Sequence, residues 1–315
     1  MSNRIFAVVT LTVAIALAAV TQLIPNDYFF TAAYTVLLFV ILATAWNILG
    51  GYTGYVNFGS AAFFAIGAYT TVFFYNAFKA PLPVGIVAGT LVAGLAGLGL
   101  GYLTLRLRGV FFAIASLALA VVLYIFVVNW DYVGGARGAY VLQPREVPFG
   151  LPRYIHLIYA VQLVMAAFAL VVARAIEKST LGRGLAAIRD DELAAECSGV
   201  PTLKLKIFST MASCALMGMA GTTFPYYLSY IEPSSAFSLS YAVNSIAMPL
   251  IGGMMSWMGP LIGAVLLGSV QQLVQVTVSS AWNLLIVGVL LVLFVTLAPN
   301  GIMGWVDAWR RRKGR

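Results

Sequence analysis

Stretches of about twenty apolar residues recur along almost the whole chain, and that spacing leaves few folds open. A helix that crosses the roughly 30 Å hydrocarbon core needs about 20 residues. Backbone polar groups placed in lipid must be satisfied internally, so spanning segments are helices or closed barrels. On that ruler about ten helical spans fit, at 5–24, 29–50, 60–78, 82–103, 110–130, 155–174, 207–228, 239–255, 260–278 and 281–299. Composition agrees, with 62% hydrophobic and 9% charged residues, against roughly 25% charged in an average soluble domain. The expected fold is an all-α polytopic membrane protein, a single transmembrane domain over 1–315 with no linker dividing it. The first apolar run follows Arg4, is long enough to span and lacks a small-x-small cleavage pattern before Pro25, so it reads as a first helix.

The net charge of +8 comes from 18 Lys and Arg against 10 Asp and Glu. These basic residues sit in short loops beside apolar spans, where the positive-inside rule explains them without a nucleic-acid partner. With a cytoplasmic N-terminus the inside receives Arg4, Arg106, Arg108, Arg174, Lys178, Arg183, Arg189, Lys204, Lys206, Arg310, Arg311, Arg312, Lys313 and Arg315. Only Lys79, Arg137, Arg145 and Arg153 remain outside. The bias predicts an N-in, C-in topology in the lipid bilayer.

One long polar interruption, 178–206, divides the apolar sequence and faces the cytoplasm in this topology. Leu181, Leu185 and Ile188 recur at helical spacing, and Gly199 with Pro201 stop the pattern. A short helix carrying Arg183, Arg189, Asp190, Glu192 and Glu196 is expected there. Its charge pattern fits a docking element and a solvated surface helix alike. The longest outside segment, 131–154, is rich in Gly, Pro and aromatic residues and reads as a turn-rich cap.

Two glycine-punctuated stretches interrupt the helices. The first holds Gly51, Tyr52, Thr53, Gly54, Asn57 and Gly59; the second holds Gly252, Gly253 and Gly259. Both fall at the inner ends of spans. Paired broken segments in two halves of a membrane protein point to a pathway, and two tight turns account for them as well. The glycines between 85 and 101 offer close helix packing.

Several chemistries are absent from the sequence. There is no Gly-x-x-x-x-Gly-Lys-[Ser/Thr] loop for ATP. Two cysteines, Cys197 and Cys214, provide neither a disulfide framework nor metal-ligand spacing. Asp190, Asp191 and Glu192 are contiguous, so on a helix they point about 100° apart and do not converge on a metal. The predicted spans carry no ionisable group near their middles, which argues against proton relays. Catalytic residues, metals and cofactors on this chain are therefore not expected. Small polar groups remain to handle a solute, with Tyr52, Thr53, Asn57, Asn244 and Ser245 the foremost candidates.

Five ordered blocks carry a family resemblance: WNILGGYTGYVNFGSAAFFAIGAYT at 46–70, LRLRGVFFAIASLAL at 105–119, LGRGLAAIRDDELAAECSGV at 181–200, the stretch 217–268, and LAPNGIMG at 297–304. Together they resemble the LivM-type permeases of bacterial ABC importers for branched-chain amino acids, nearly end to end. The resemblance implies the ABC importer permease fold in the bacterial inner membrane, with a cytoplasmic coupling helix at 182–199 docking on an ATPase. It also implies a homologous LivH-type permease, two cytoplasmic ATPase subunits of LivG/LivF type that bind ATP and Mg, and a periplasmic solute-binding protein. The family's Glu-Ala-Ala pattern is displaced here, with the acid at Glu192 before Leu193, Ala194 and Ala195. Tyr55, Val56, Asn57, Phe58, Gly59 and Ser60 also depart from the family's usual Gln-Leu-Ser-x-Gly-His. Cargo other than leucine, isoleucine and valine stays open, including urea, amides and small aromatic or carboxylic compounds. An ATP-independent carrier or channel is the alternative from another class.

Overall fold

The structure is a computed structural model; it describes residues 3–21, 26–104, 107, 109–143, 153–277, 285, 288–289, 292, 296 and 301–305. Thirteen α-helices and one two-stranded ladder occur among them. Seven helical segments of the described residues are long and apolar enough to cross a membrane: Asp27–Thr53, Ser60–Phe78, Leu82–Leu103, Val110–Val128, Tyr154–Glu177, Thr202–Leu228 and Met258–Val276. The expected span at 281–299 lies largely outside the described residues. The first helix, α1 (Asn3–Thr21), contains a shorter apolar helix at Ile5–Ala19.

The centre of the bundle is α2 (Asp27–Thr53), whose residues from Leu38 to Thr53 are all buried. A helix apolar on every side belongs in a core rather than at a surface. Asn26 caps its start by accepting from the Tyr28 amide, and Gly54, at φ 78°, ends it. Around α2 pack α6 (Tyr154–Glu177), α9 (Thr202–Gly221), α12 (Leu239–Gly252) and α13 (Met258–Thr277). The pair α2 and α6 runs parallel and is joined at both ends. At one end Phe30 packs on the rings of His156 at 4.1 Å and Tyr159 at 5.4 Å, while Arg153 pairs with Asp27. At the other, the Tyr52 hydroxyl lies 3.3 Å from Glu177.

A second layer joins α3 (Ser60–Phe78) and α4 (Leu82–Thr104) to α9. These three meet backbone to backbone at Gly67, Gly89, Gly218 and Gly221, where a Cβ would collide with the facing chain or side chain. This is the close approach that small residues permit between membrane helices. By contrast α5 (Val110–Val128) stands largely apart, with only Phe112, Ser116 and Val127 buried.

The bundle departs from regular helix in three places. After Gly54 the chain is non-helical to Gly59. After α9 it turns through α10 (Phe224–Leu228), β2 (Tyr230–Ile231) and α11 (Pro233–Ala236) before α12. Strand β1 (Ala139–Tyr140) pairs antiparallel with β2, Ala139 opposite Ile231 and Tyr140 opposite Tyr230. The α12 helix has 14 residues, about 21 Å of rise, and is shorter than the 239–255 span expected from hydropathy. Pro249 removes one helical donor near its end, and Gly253, at φ 113°, stops it.

Candidate functional site

The polar interruption folds into two short helices rather than one. Ser179 caps α7 (Thr180–Asp190), its hydroxyl oxygen accepting from the Gly182 amide at 3.2 Å. Leu185 and Ile188 bury the apolar face of α7, each worth about 1.5–3 kcal/mol on full burial. Asp191 then turns extended, and its carboxylate accepts the Ala194 amide at 3.0 Å to start α8 (Glu192–Cys197). An aspartate N-cap inside the run is the physical reason for the break.

Three side-chain ties, two from these helices and one from the end of α6, reach the two glycine-broken segments. Arg189, at the end of α7, donates to the Met255 sulfur at 2.8 Å and makes a long 3.5 Å contact with the Gly51 carbonyl. One side chain therefore touches both broken segments, while its other donors meet Asp190 at 3.2 and 3.3 Å. Its aliphatic stem also lies beside Gly54.

Glu177, the last residue of α6, forms the second tie. Its carboxylate accepts the Trp257 amide at 2.5 Å and stands 3.3 Å from the Tyr52 hydroxyl. The neighbouring Arg174 is buried and stacks over Phe6 at 3.7 Å and Trp257 at 5.4 Å. In the third tie Glu192 accepts from Lys206 at 2.5 Å and from the Tyr55 hydroxyl. Lys206 is 3.3 Å from that hydroxyl and 5.0 Å from the ring centroid. The ion pair has little access to solvent, 7% for Lys206 and 12% for Glu192.

Beyond Tyr55 the chain runs back along α2, and side chains bond three of its backbone polar groups. Trp46 donates to the Asn57 carbonyl at 2.9 Å, Asn57 accepts from the Gly59 amide at 2.8 Å, and Ser116 of α5 accepts from the Phe58 amide at 3.0 Å. Ser60, just after, bonds Ser245 of α12 at 2.9 Å. Non-helical backbone inside a membrane protein needs such partners.

The second broken segment is built differently. Gly252 and Gly253 at the end of α12 and Gly259 and Gly263 of α13 touch through bare backbone. Gly301 lies against the same Gly252–Gly253 turn.

The residues singled out by sequence divide among these features. Gly51, Tyr52 and Thr53 form the buried last turn of α2, Gly54 ends it, and Asn57 and Gly59 lie in the buried return. Ser245 is buried against Ser60, and Asn244 accepts from Gln271 at 2.7 Å while donating to the Ser240 carbonyl. Arg189 and Glu192 point into the ties, whereas Arg183, Asp190 and Glu196 are exposed. Glu196 accepts from Thr202 at 2.8 Å. Tyr55, Glu177, Lys206 and Trp257 were not among the sequence candidates. Glu177 carried a signal, as an isolated acid between Arg174 and Lys178 at a span end otherwise rich in basic residues.

The chain is similar to the high-affinity branched-chain amino acid transport system permease protein LivM of Salmonella typhimurium and to that of Escherichia coli K12. Each is 26% identical over 291 residues, covering 85% of this chain and 68% of the relative. It is also similar to the probable branched-chain amino acid transport permease protein LivH of Methanocaldococcus jannaschii, 25% identical over 293 residues, covering 88% of this chain and 91% of the relative. No solved structure matches. The model of the family described as branched-chain amino acid transport system / permease component matches residues 28–295, and the chain belongs to that family.

Proposed function

We propose that this chain is the membrane-spanning permease subunit of an ATP-driven importer that passes branched-chain or related amino acids, delivered by a periplasmic solute-binding protein. The observation that carries the mechanism is the anchorage of both glycine-broken segments at the α7–α8 unit, through Arg189 and Glu192, with Glu177 beside them. Family membership supports the transport role, and the names of the LivM relatives support the substrate class. ATP and Mg belong to two partner ATPases, and a homologous LivH-type permease completes the pathway.

Ten spans in one domain over 1–315, N-in and C-in, fit this reading. Arg174, Lys178, Arg183, Arg189, Lys204 and Lys206 gather at the α7 end of the bundle, while Lys79, Arg137 and Arg153 mark the opposite end. Of the remaining basic positions, 4 falls in α1, and 106, 108, 145, 310–313 and 315 lie outside the described residues.

In this mechanism ATP-bound partners favour one position of the α7–α8 unit by contact with Arg183, Asp190 and Glu196 on its exposed side. Movement passes through Arg189 and Glu192 to hinges at Gly51, Gly54, Gly59, Gly252, Gly253 and Gly259. Tyr52, Thr53, Asn57, Asn244 and Ser245 exchange partners as the bundle switches between states of different affinity for the ATPase. Substitution of Arg189→Ala together with Glu192→Gln is expected to lower substrate-stimulated ATP hydrolysis at least fivefold and to weaken copurification of the ATPase. Unchanged hydrolysis and unchanged copurification would refute the coupling role.

A further inference from the structure

We infer that a cleft between α5, the 54–59 return and the 237–239 stretch is one wall of a wet substrate passage, and that its apolar lining receives the aliphatic or aromatic side chain of an amino acid. The inference rests on the permease function proposed for this chain and assigns the part that meets the solute.

The cleft encloses about 400 Å³, within the usual range for small-molecule sites. Leu117, Ala120, Val121 and Tyr124 of α5 line it at i, i+3, i+4 and i+7, so one face of that helix forms a continuous wall. These are middle turns of the Val110–Val128 span, which places the cleft at membrane depth. Phe58 and Phe237 close the other side, with the Phe237 ring edge-on to Tyr124 at 5.6 Å.

Two observations separate this cleft from an ordinary lipid-facing groove. Its floor includes non-helical backbone at Phe58 and Ser238, and irregular backbone at this depth faces protein or water rather than hydrocarbon. Ser234, Ser238 and Tyr124 place hydroxyls on an otherwise apolar lining.

A second groove, bounded by α3, α4 and the Leu123, Phe126 and Val127 side of α5, is almost wholly apolar, and its one non-helical lining residue, Trp130, lies past the end of α5 rather than beside its middle turns. That one has the character of a lipid contact. No charged residue lines the 117–124 cleft, so a charged side chain would enter without a counter-ion and pay full desolvation. An apolar side chain fits this lining, with the hydroxyls positioned to bond polar atoms or water.

The test uses the complete importer in proteoliposomes, with partner permease, ATPases and binding protein, after Cys197→Ser removes the exposed native thiol. Leu117→Cys and Val121→Cys face the cleft; Val122→Cys and Ile125→Cys, exposed on another side of α5, are the controls. The probe is a membrane-impermeant cationic methanethiosulfonate, which needs water and a thiolate to react. Cleft cysteines are expected to react at least tenfold faster than the controls, and their modification to stop leucine uptake. Reactivity at 117 and 121 no higher than at 122 and 125 would overturn the passage, leaving lipid or a partner helix as the occupant. Ala120→Trp narrows the cleft and is expected to reduce leucine uptake at least tenfold while alanine uptake falls less than threefold. Equal losses would overturn side-chain reception. Reactive cleft cysteines in an importer that moves no leucine, valine or phenylalanine with ATP would instead overturn the amino-acid function on which the lining chemistry depends.

Discussion

The two glycine-broken segments look alike in sequence and are held by different physics. In the first, 50–60, the backbone leaves α2 and several of its polar groups meet side chains, those of Trp46, Asn57 and Ser116, while the Tyr55 hydroxyl joins the Glu192–Lys206 pair. In the second, 252–259, glycines bring α12 and α13 into backbone contact, and Glu177 supplies a side-chain anchor at the Trp257 amide. Side-chain partners can exchange one hydrogen bond for another, whereas glycine contacts act by excluding volume. The first segment therefore has directional bonds to rearrange, and the second has a surface on which helices slide or lock.

The sharpest way to break that contrast is Lys206→Ala, which leaves the Glu192 carboxylate enclosed without its cation. A loss of about 3–5 kcal/mol is expected from removing one partner of a buried pair, read as a lower midpoint in thermal unfolding of the detergent-solubilised protein. Adding Glu192→Gln to Lys206→Ala should restore most of it; no recovery would mean that the lysine acts by packing alone. Gly259→Val comes next, at about 2–3 kcal/mol, because the new side chain meets the Gly253 backbone and overpacking costs of this order are typical. Gly259→Ala should follow the same direction with a smaller effect, and equal stability of the valine variant and wild type would remove the excluded-volume account. The smallest effect is expected from Trp46→Phe, which keeps the ring and deletes the donor to the Asn57 carbonyl. About 1–2 kcal/mol should be lost, accompanied by faster amide exchange at Phe58 and Gly59. Unchanged exchange there would show that the return is held without that bond.

Most helices were legible because apolar runs of the right length have few alternatives. The glycine-broken segments were legible as interruptions, although nothing local to either revealed that Arg189 touches both. Pairings such as Tyr52 with Glu177 or Tyr55 with Glu192 join residues more than a hundred positions apart, and one sequence carries no record of them. Lys206 read as a topology charge because a lysine beside a span ordinarily is one. The division of the polar interruption was visible in principle. Asp191 was weighed as one member of an acidic trio, and its role as a helix cap depended on an amide three residues later. The cleft beside α5 was not anticipated because an exposed apolar helix face in a membrane protein reads the same whether it meets lipid, protein or water.

The paired attachment of α2 and α6 has a mechanical consequence. Two parallel rods pinned at one end can scissor, but rods pinned at both ends form a closed frame that resists shear until a joint opens. Phe30 with His156 and Tyr159 is one joint, and Tyr52 with Glu177 is the other. A displacement applied beside Glu177 is thereby delivered about 33 Å away, the helical rise from Tyr52 back to Phe30, as translation of the whole frame.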